Sequence, residues 1–232
     1  MCGRYTSVTP ARELARYFDV DEVETDDLGP RFNVAPTQEV YAVALHRGRR
    51  CLGALRWGLV PPWAEDPRTG ARMINARAES LARRPAFRRA FALRRCLVPA
   101  DGFYEWQTTT GGRQAWYLRP RDGRPLAFAG LWESWRGDSG GRSGARLVSA
   151  AIVTTRANEV LSPLHDRMPA VLAPPAWPAW LAPGEGDPDE LGRLLAPAPP
   201  EVIEAIPVGP LVNKVANDGP DLVLPLPSRE RV

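Results

Sequence analysis

Apolar positions in this chain come in short runs broken by turn residues, and their spacing alternates between the two-residue period of a strand and the longer period of a helix. Val40 to Leu45 and Cys51 to Leu59 predict two strands, joined by a hairpin turn at His46-Arg47-Gly48-Arg49. Cys96 to Pro99 predicts a buried strand, and Ala115 to Arg119, Pro125 to Trp135, Arg146 to Thr155 and Glu201 to Val208 predict four more. The glycines at Gly111-Gly112 and from Gly137 to Gly144 read as the turns between them. Helical spacing is confined to short pieces. Thr9-Pro10 reads as a cap followed by proline at the first helical position, with Leu14, Tyr17 and Phe18 on one face. Pro85 to Leu93, Pro174 to Leu181 and Pro188 to Leu195 follow the same proline-started pattern, and Ala157 to Leu161 reads as a helical turn. Strands with irregularly interspersed helices predict an α+β fold, with a mixed sheet curling toward a barrel.

Three shorter stretches carry polar residues at fixed phase. Asn33-Val34-Ala35-Pro36 reads as an extended turn, because the residue before a proline avoids the α region. In Met73 to Glu79, extended backbone would put Asn75, Arg77 and Glu79 on one face. In Gly102-Phe103-Tyr104-Glu105-Trp106 a strand would point Phe103 and Glu105 one way and Tyr104 and Trp106 the other. A carboxylate among aromatics is either an exposed strand residue or a group whose pKa is raised into a range useful for proton transfer.

Composition narrows the function classes. With 232 residues the chain is long enough for a full core, and no run of eighteen apolar residues or secretory leader is present, so a soluble cytoplasmic protein is expected. Three cysteines, Cys2, Cys51 and Cys96, and two histidines, His46 and His165, argue against a disulfide framework and against a histidine-rich metal site. The net charge of +3 is uneven. Nine acidic and four basic residues lie beyond Pro174, leaving the first 174 residues at about +8. Arg68 to Arg95 holds nine arginines and one acid, either a solvated helix face or a surface for a polyanion. Trp63, after Pro61-Pro62, either caps a core edge or stacks on bases. Lys214 is the only lysine.

The chemistry with the sharpest implication sits at Met1-Cys2-Gly3-Arg4. Removal of Met1 would leave Cys2 with an α-amine (pKa about 7.7–8.0) and a thiol (about 8.5) on adjacent carbons, two nucleophiles for one carbonyl. His165, between Pro163 and Pro169 and beside Asp166 and Arg167, is either structural or an acid-base group. Gly137-Asp138-Ser139-Gly140-Gly141 matches the nucleophile loop of trypsin-like proteases, but His46 in an arginine-rich hairpin cannot supply the base, and the composition says flexible loop.

Five separated segments, Cys2-Gly3-Arg4-Tyr5, Asn33 to Pro36, Ile74 to Glu79, Asp101 to Trp106 and His165 to Pro169, together resemble the SRAP (SOS-response-associated peptidase) family, and Asn213 to Pro220 is similar to its C-terminal signature. The resemblance implies a single domain over residues 1–232, with antiparallel strands curled into a pseudo-barrel and short helices at its flanks. It implies capture of abasic sites in single-stranded DNA, in the DNA damage response, through a thiazolidine between Cys2 and the sugar aldehyde. Cys2, Asn75, Glu105 and His165 would be catalytic. Arg4, Arg77 and Arg167 would contact phosphates with Thr154 as a neutral donor, and Pro36 and Trp63 would pack against displaced bases. A monomer without cofactor, metal or membrane partner is expected. An N-terminal-cysteine peptidase and a non-covalent single-strand binding module are the alternatives.

Overall fold

The computed structural model describes residues 2–139 and 142–227. The first part of the chain forms β1 (Tyr5–Ser7), α1 (Ala11–Tyr17), β2 (Glu22–Val23), β3 (Arg31–Val34), β4 (Glu39–His46), β5 (Arg49–Trp57), β6 (Asn75–Arg77) and α2 (Pro85–Leu93). The second part forms β7 (Arg95–Ala100), β8 (Gly102–Thr109), β9 (Gly112–Pro120), β10 (Leu126–Ser139), β11 (Arg142–Arg156) and β12 (Arg167–Pro169). The short helices α3 (Trp177–Leu181) and α4 (Pro188–Arg193) precede the last strand, β13 (Ile203–Val208). Two sheets result. One runs β13-β9-β8-β1-β3, and the other β12-β11-β10-β7-β4-β5-β2, with β6 added in parallel beside β11.

Two-residue alternation distributes each strand between layers. Val40 and Ala42 of β4, Cys96 and Val98 of β7, Phe128 of β10 and Ile152 of β11 pack against Tyr5, Phe103 and Leu118 of the smaller sheet, which fills the space between the sheets. Their neighbours Tyr41, Val43, Leu97, Ala129, Ala151 and Val153 face the other way and are covered by Leu14, Phe87, Phe91, Trp177 and Trp180 from the helices. The outer face of the smaller sheet carries its own cluster of Tyr104, Tyr117, Val208, Val212 and Leu222. The larger sheet is therefore buried on both faces, and the two sheets enclose an α+β pseudo-barrel with helices on one flank. No helix among the described residues is long and apolar enough to cross a membrane.

Several boundaries differ from the sequence expectations, each for a local reason. Thirteen strands form among the described residues where about eight were expected, because pieces of two or three residues such as β1, β2, β6 and β12 are too short to show a period. Thr9 does not cap α1; Pro10 holds that position, and the Thr9 hydroxyl and amide both donate to Asp101. The stretch from Gly137 is not a long loop, since β10 runs to Ser139 and β11 starts at Arg142; Gly140 and Gly141 of the protease-like motif lie outside the described residues. Extended backbone stops at Arg77, and Glu79 lies on a 3-10 turn, Ala78–Ser80, so it does not share a face with Asn75 by alternation. The β4–β5 hairpin closes at Arg47 and Gly48, both at positive φ (49° and 78°), the conformation that matches the twist of paired strands.

Candidate active site at the amino-terminal cleft

Cys2 enters at the edge of the inner core. Tyr5 pairs with Val34 on one side and Phe103 on the other, which carries the residues before it across the end of β8. The Tyr104 amide donates to the Arg4 carbonyl at 3.0 Å and continues that register. Cys2 is fully buried, and its thiol lies 3.8 Å from the Arg4 carbonyl. Burial, and next the negative charge of Glu105, push the thiol well above its ordinary pKa, so it rests protonated.

Asn75 reaches the same point from β6. Parallel pairing with Ile152 and Val153 of β11 fixes that strand, and the Asn75 Nδ2–H donates to the Cys2 carbonyl at 2.8 Å. Asn75 Oδ1 is buried and has no hydrogen bond among the described residues. Glu105, expected to share a face with Phe103, turns inward with it and is 3 % exposed. Burial raises its pKa, and the positive charges of the amino terminus and of His165 offset part of that rise.

His165 follows a helical turn closed by its own amide on the Leu161 carbonyl at 2.9 Å. Its Nδ1 accepts the Arg167 amide at 2.9 Å, with the exposed Asp166 carboxylate 2.8 Å away. An Nδ1 that accepts an N–H leaves Nε2 to carry the proton of the neutral ring. Glu105 and His165 line one cleft of about 540 Å³ with Gly3, Arg4, Trp106, Arg113 and Asn213. A buried carboxyl and an imidazole, beside a cysteine whose main-chain carbonyl is held by an amide, are groups able to take up and give back protons at one place.

The residues expected at the phosphates fall into different settings. Arg4 donates from Nη1 to Asn33 Oδ1 and the Val212 carbonyl, both at 2.9 Å. Arg77 is exposed at the end of β6. Arg167 is 11 % exposed and held by Glu79 at 2.6 and 3.0 Å and by the Thr154 carbonyl at 2.6 Å. Thr154 is fully buried, with its hydroxyl 3.4 Å from Arg167; its place in this structure is behind that arginine and away from solvent.

Pro36 is half-buried at the turn after Asn33, and Trp63 is 62 % exposed. The Trp63 loop is nonetheless anchored at both sides. The Val60 amide donates to Ser149 Oγ at 2.8 Å, the Trp135 indole donates to the Ala64 carbonyl at 2.6 Å, and Gly58, at φ 123°, lies so close to Gly70 that a Cβ would meet its carbonyl oxygen at 2.6 Å.

Sequence reasoning missed Trp106, Arg113 and Asn213 as cleft residues. It named Asn33 within a motif but gave it no role. Asn33 is 1 % exposed and donates to the carbonyls of Val212, Lys214 and Asn217, tying the Asn213 to Pro220 segment to β3. The signal was available only as a pair of polar segments nearly two hundred residues apart. The metal-ligating side chains that come together among the described residues are Glu22, Glu24 and Cys51, at the far edge of the larger sheet. Glu22 already meets Arg49 at 2.8 Å, and burial followed by the two carboxylates pushes the Cys51 thiol up to about 11.

The family described as SOS response associated peptidase (SRAP) matches residues 1–215. The chain is 38 % identical over 225 residues to the abasic site processing protein YoqW of Bacillus subtilis, covering 96 % of this chain and 99 % of that protein. It is 29 % identical over 233 residues to the abasic site processing protein YedK of Escherichia coli, covering 97 % and 100 %. A solved structure from Bacteroides thetaiotaomicron superposes with a TM-score of 0.86 over 97 % of this chain and 100 % of that one at 22 % identity, a likeness of fold.

Proposed function

The chain belongs to the SOS response associated peptidase family, and on that footing we propose that it captures abasic sites in single-stranded DNA by a covalent thiazolidine link at Cys2. The observation that carries the reading is that Glu105 and His165 line the cleft beside Gly3, while Cys2 lies buried next to the Glu105 charge with its carbonyl held by the Asn75 amide. In a chain that starts at Cys2 the α-amine and the thiol face the same carbonyl.

The reaction proceeds in balanced steps. As the abasic sugar opens to the aldehyde, the C1′ hydroxyl gives its proton to Glu105 while His165 gives its Nε2 proton to the ring oxygen. The proton on Glu105 returns to the imidazole, so the opening has no net proton change. The α-amine adds to C1′, and loss of one water gives the imine. Glu105 takes the proton of the thiol as sulfur bonds to C1′, and that proton passes to the nitrogen as the C=N bond becomes single. The product is a five-membered ring, formed with net loss of one water and no change of oxidation state. The raised pKa of Glu105 suits it to accept and return a proton. Ring closure removes the imine that would otherwise hydrolyse or promote strand cleavage. Arg4, Arg77 and Arg167 contact phosphates, and Trp63 and Pro36 pack against the displaced bases.

The test is to incubate protein whose amino terminus is Cys2 by mass spectrometry with a single-stranded oligonucleotide carrying one abasic site. A heat-stable adduct mapping to the Cys2 peptide is expected, and none with an undamaged strand. Cys2→Ala should leave at most a borohydride-trappable imine. Lys214→Arg removes the single side-chain amine of a lysine in the chain and should cross-link normally. Loss of all reactivity in Lys214→Arg, or an adduct mapping elsewhere, would remove Cys2 from its role.

A further inference from the structure

Trp106 stands between two arginines that have no carboxylate partner among the described residues. It lies on β8, the middle strand of the smaller sheet, and faces the side opposite Glu105. Arg4 reaches it from the chain paired on one side of β8, with its guanidinium carbon 5.9 Å from the ring centroid. Arg113 reaches it from β9 on the other side, at 5.8 Å. Arg113 pairs across from Thr108 and therefore shares the face of Trp106. The indole is itself fixed, since Nε1–H donates to Asn213 Oδ1 at 2.7 Å.

The chemistry of this trio is that of an anion site. Among the described residues neither arginine forms an ion pair, the Arg113 side chain makes no hydrogen bond, and the Arg4 side chain uses only Nη1. Both guanidiniums line the cleft that holds Glu105 and His165. The aromatic face holds each guanidinium plane without consuming its N–H groups, which stay available for a bidentate acceptor.

We infer that Arg113, acting with Arg4 across the Trp106 ring, binds the phosphodiester adjoining the abasic sugar and so sets which linkage enters the cleft. Trp106 and Asn213 are positioning residues that orient the two guanidiniums. The inference rests on the reading of the cleft as a site for abasic single-stranded DNA.

Single-turnover cross-linking of the full chain is measured with abasic oligonucleotides bearing one uncharged methylphosphonate at each linkage in turn. Arg113→Gln should raise the half-saturating DNA concentration about five- to tenfold, the size of one charge-assisted contact, and leave the plateau rate unchanged. Methylphosphonate at one linkage flanking the lesion should weaken the unsubstituted protein by at least that factor and weaken Arg113→Gln less, since only the Arg4 contact remains there to be lost. Arg113→Lys should recover part of the loss.

Non-covalent binding is read separately, with Cys2→Ala protein and a tetrahydrofuran lesion that has no aldehyde. There Arg113→Gln should lower the slope of log affinity against log salt by about 0.7. Unchanged half-saturation and slope, or equal methylphosphonate losses in both proteins, would overturn the inference. Failure of the unsubstituted protein to cross-link at all would instead strike the covalent reading, while the tetrahydrofuran binding still decides the role of Arg113.

Discussion

The side-chain amide of Asn75 donates to the main-chain carbonyl of Cys2 at 2.8 Å, so a strand added in parallel to β11 holds Cys2 in place. Asn75→Ala removes the only side-chain donor that meets the Cys2 carbonyl among the described residues. Cross-linking under single-turnover conditions should slow roughly tenfold, the consequence of a nucleophile left to wander from its attack position. Asn75→Asp should be worse, because a carboxylate would face that carbonyl without a proton to donate. The observed single-turnover rate constant checks both, and a wild-type rate in Asn75→Ala would show that Cys2 is positioned by the core alone.

Glu105 predicts opposite trends for stability and reactivity. Its folded-state pKa is raised, chiefly by burial, so the ionised form is penalised in the folded protein. Sign follows from linkage: the folded state binds the proton more tightly, so stability is highest below the unfolded value of 4.5 and falls as pH rises through the folded value. Glu105→Gln should therefore be more stable than the parent at neutral pH, with the difference closing as pH approaches 4. Cross-linking should increase with pH as Glu105 ionises, and that limb should vanish in Glu105→Gln. Denaturant midpoints and rate profiles across pH measure the two effects.

Glu79 occupies Arg167 through two oxygen contacts at 2.6 and 3.0 Å. The hydrogen bond from Arg167 leads the causes that hold the Glu79 carboxyl below its ordinary pKa, so this contact is present above the usual carboxylate range and lost as pH falls through the lowered value. The Glu79 side chain is 47 % exposed, which keeps the stability effect of Glu79→Gln within about 1 kcal/mol. Freed Arg167 should bind single-stranded DNA more tightly and steepen the salt dependence. Fluorescence anisotropy over a salt series tests this, and unchanged affinity would mean that Arg167 meets no phosphate.

Trp63 is 62 % exposed on a loop pinned at Val60, Ala64 and Gly70. Trp63→Ala should leave the thermal midpoint nearly unchanged, because little of the ring is buried. Single-strand affinity should weaken by about 1–3 kcal/mol, the worth of one stacked base. Anisotropy and a thermal melt on the same sample separate the two outcomes.

Arg95 is 5 % exposed and meets no carboxylate among the described residues; its guanidinium donates to the carbonyls of Phe91, Ala92, Trp180, Ala182 and Gly184. Those bonds join the end of α2 to the end of α3 beneath the larger sheet. Arg95→Met should destabilise by on the order of 3 kcal/mol because it strands several buried acceptors at once. Urea denaturation measures the loss.

The sequence alone carried the strand and helix pattern wherever an element was long enough to repeat. Pro85 to Leu93 is helical to the residue, and β4, β7 and β9 contain the stretches expected to be strands, each extended by one to three residues at its ends. It also determined that Phe103 and Glu105 point one way and Tyr104 and Trp106 the other, because two-residue alternation needs no tertiary information. The reactive chemistry available at Cys2 was likewise a property of residue type and position.

Tertiary structure decided what met what. Glu79 and Arg167 are far apart in the chain and become partners only when β12 docks on β11, which also seals Thr154 behind the arginine. Asn33 acquires its role only when three carbonyls from Val212, Lys214 and Asn217 close over it. Arg113 sits on a glycine-flanked hairpin that looked like any exposed turn, yet strand register across β8 brings it to Trp106 and Arg4. Local spacing fixes a side chain's direction, but contact between distant segments is set by sheet register and burial, and neither is written in any window of neighbouring residues.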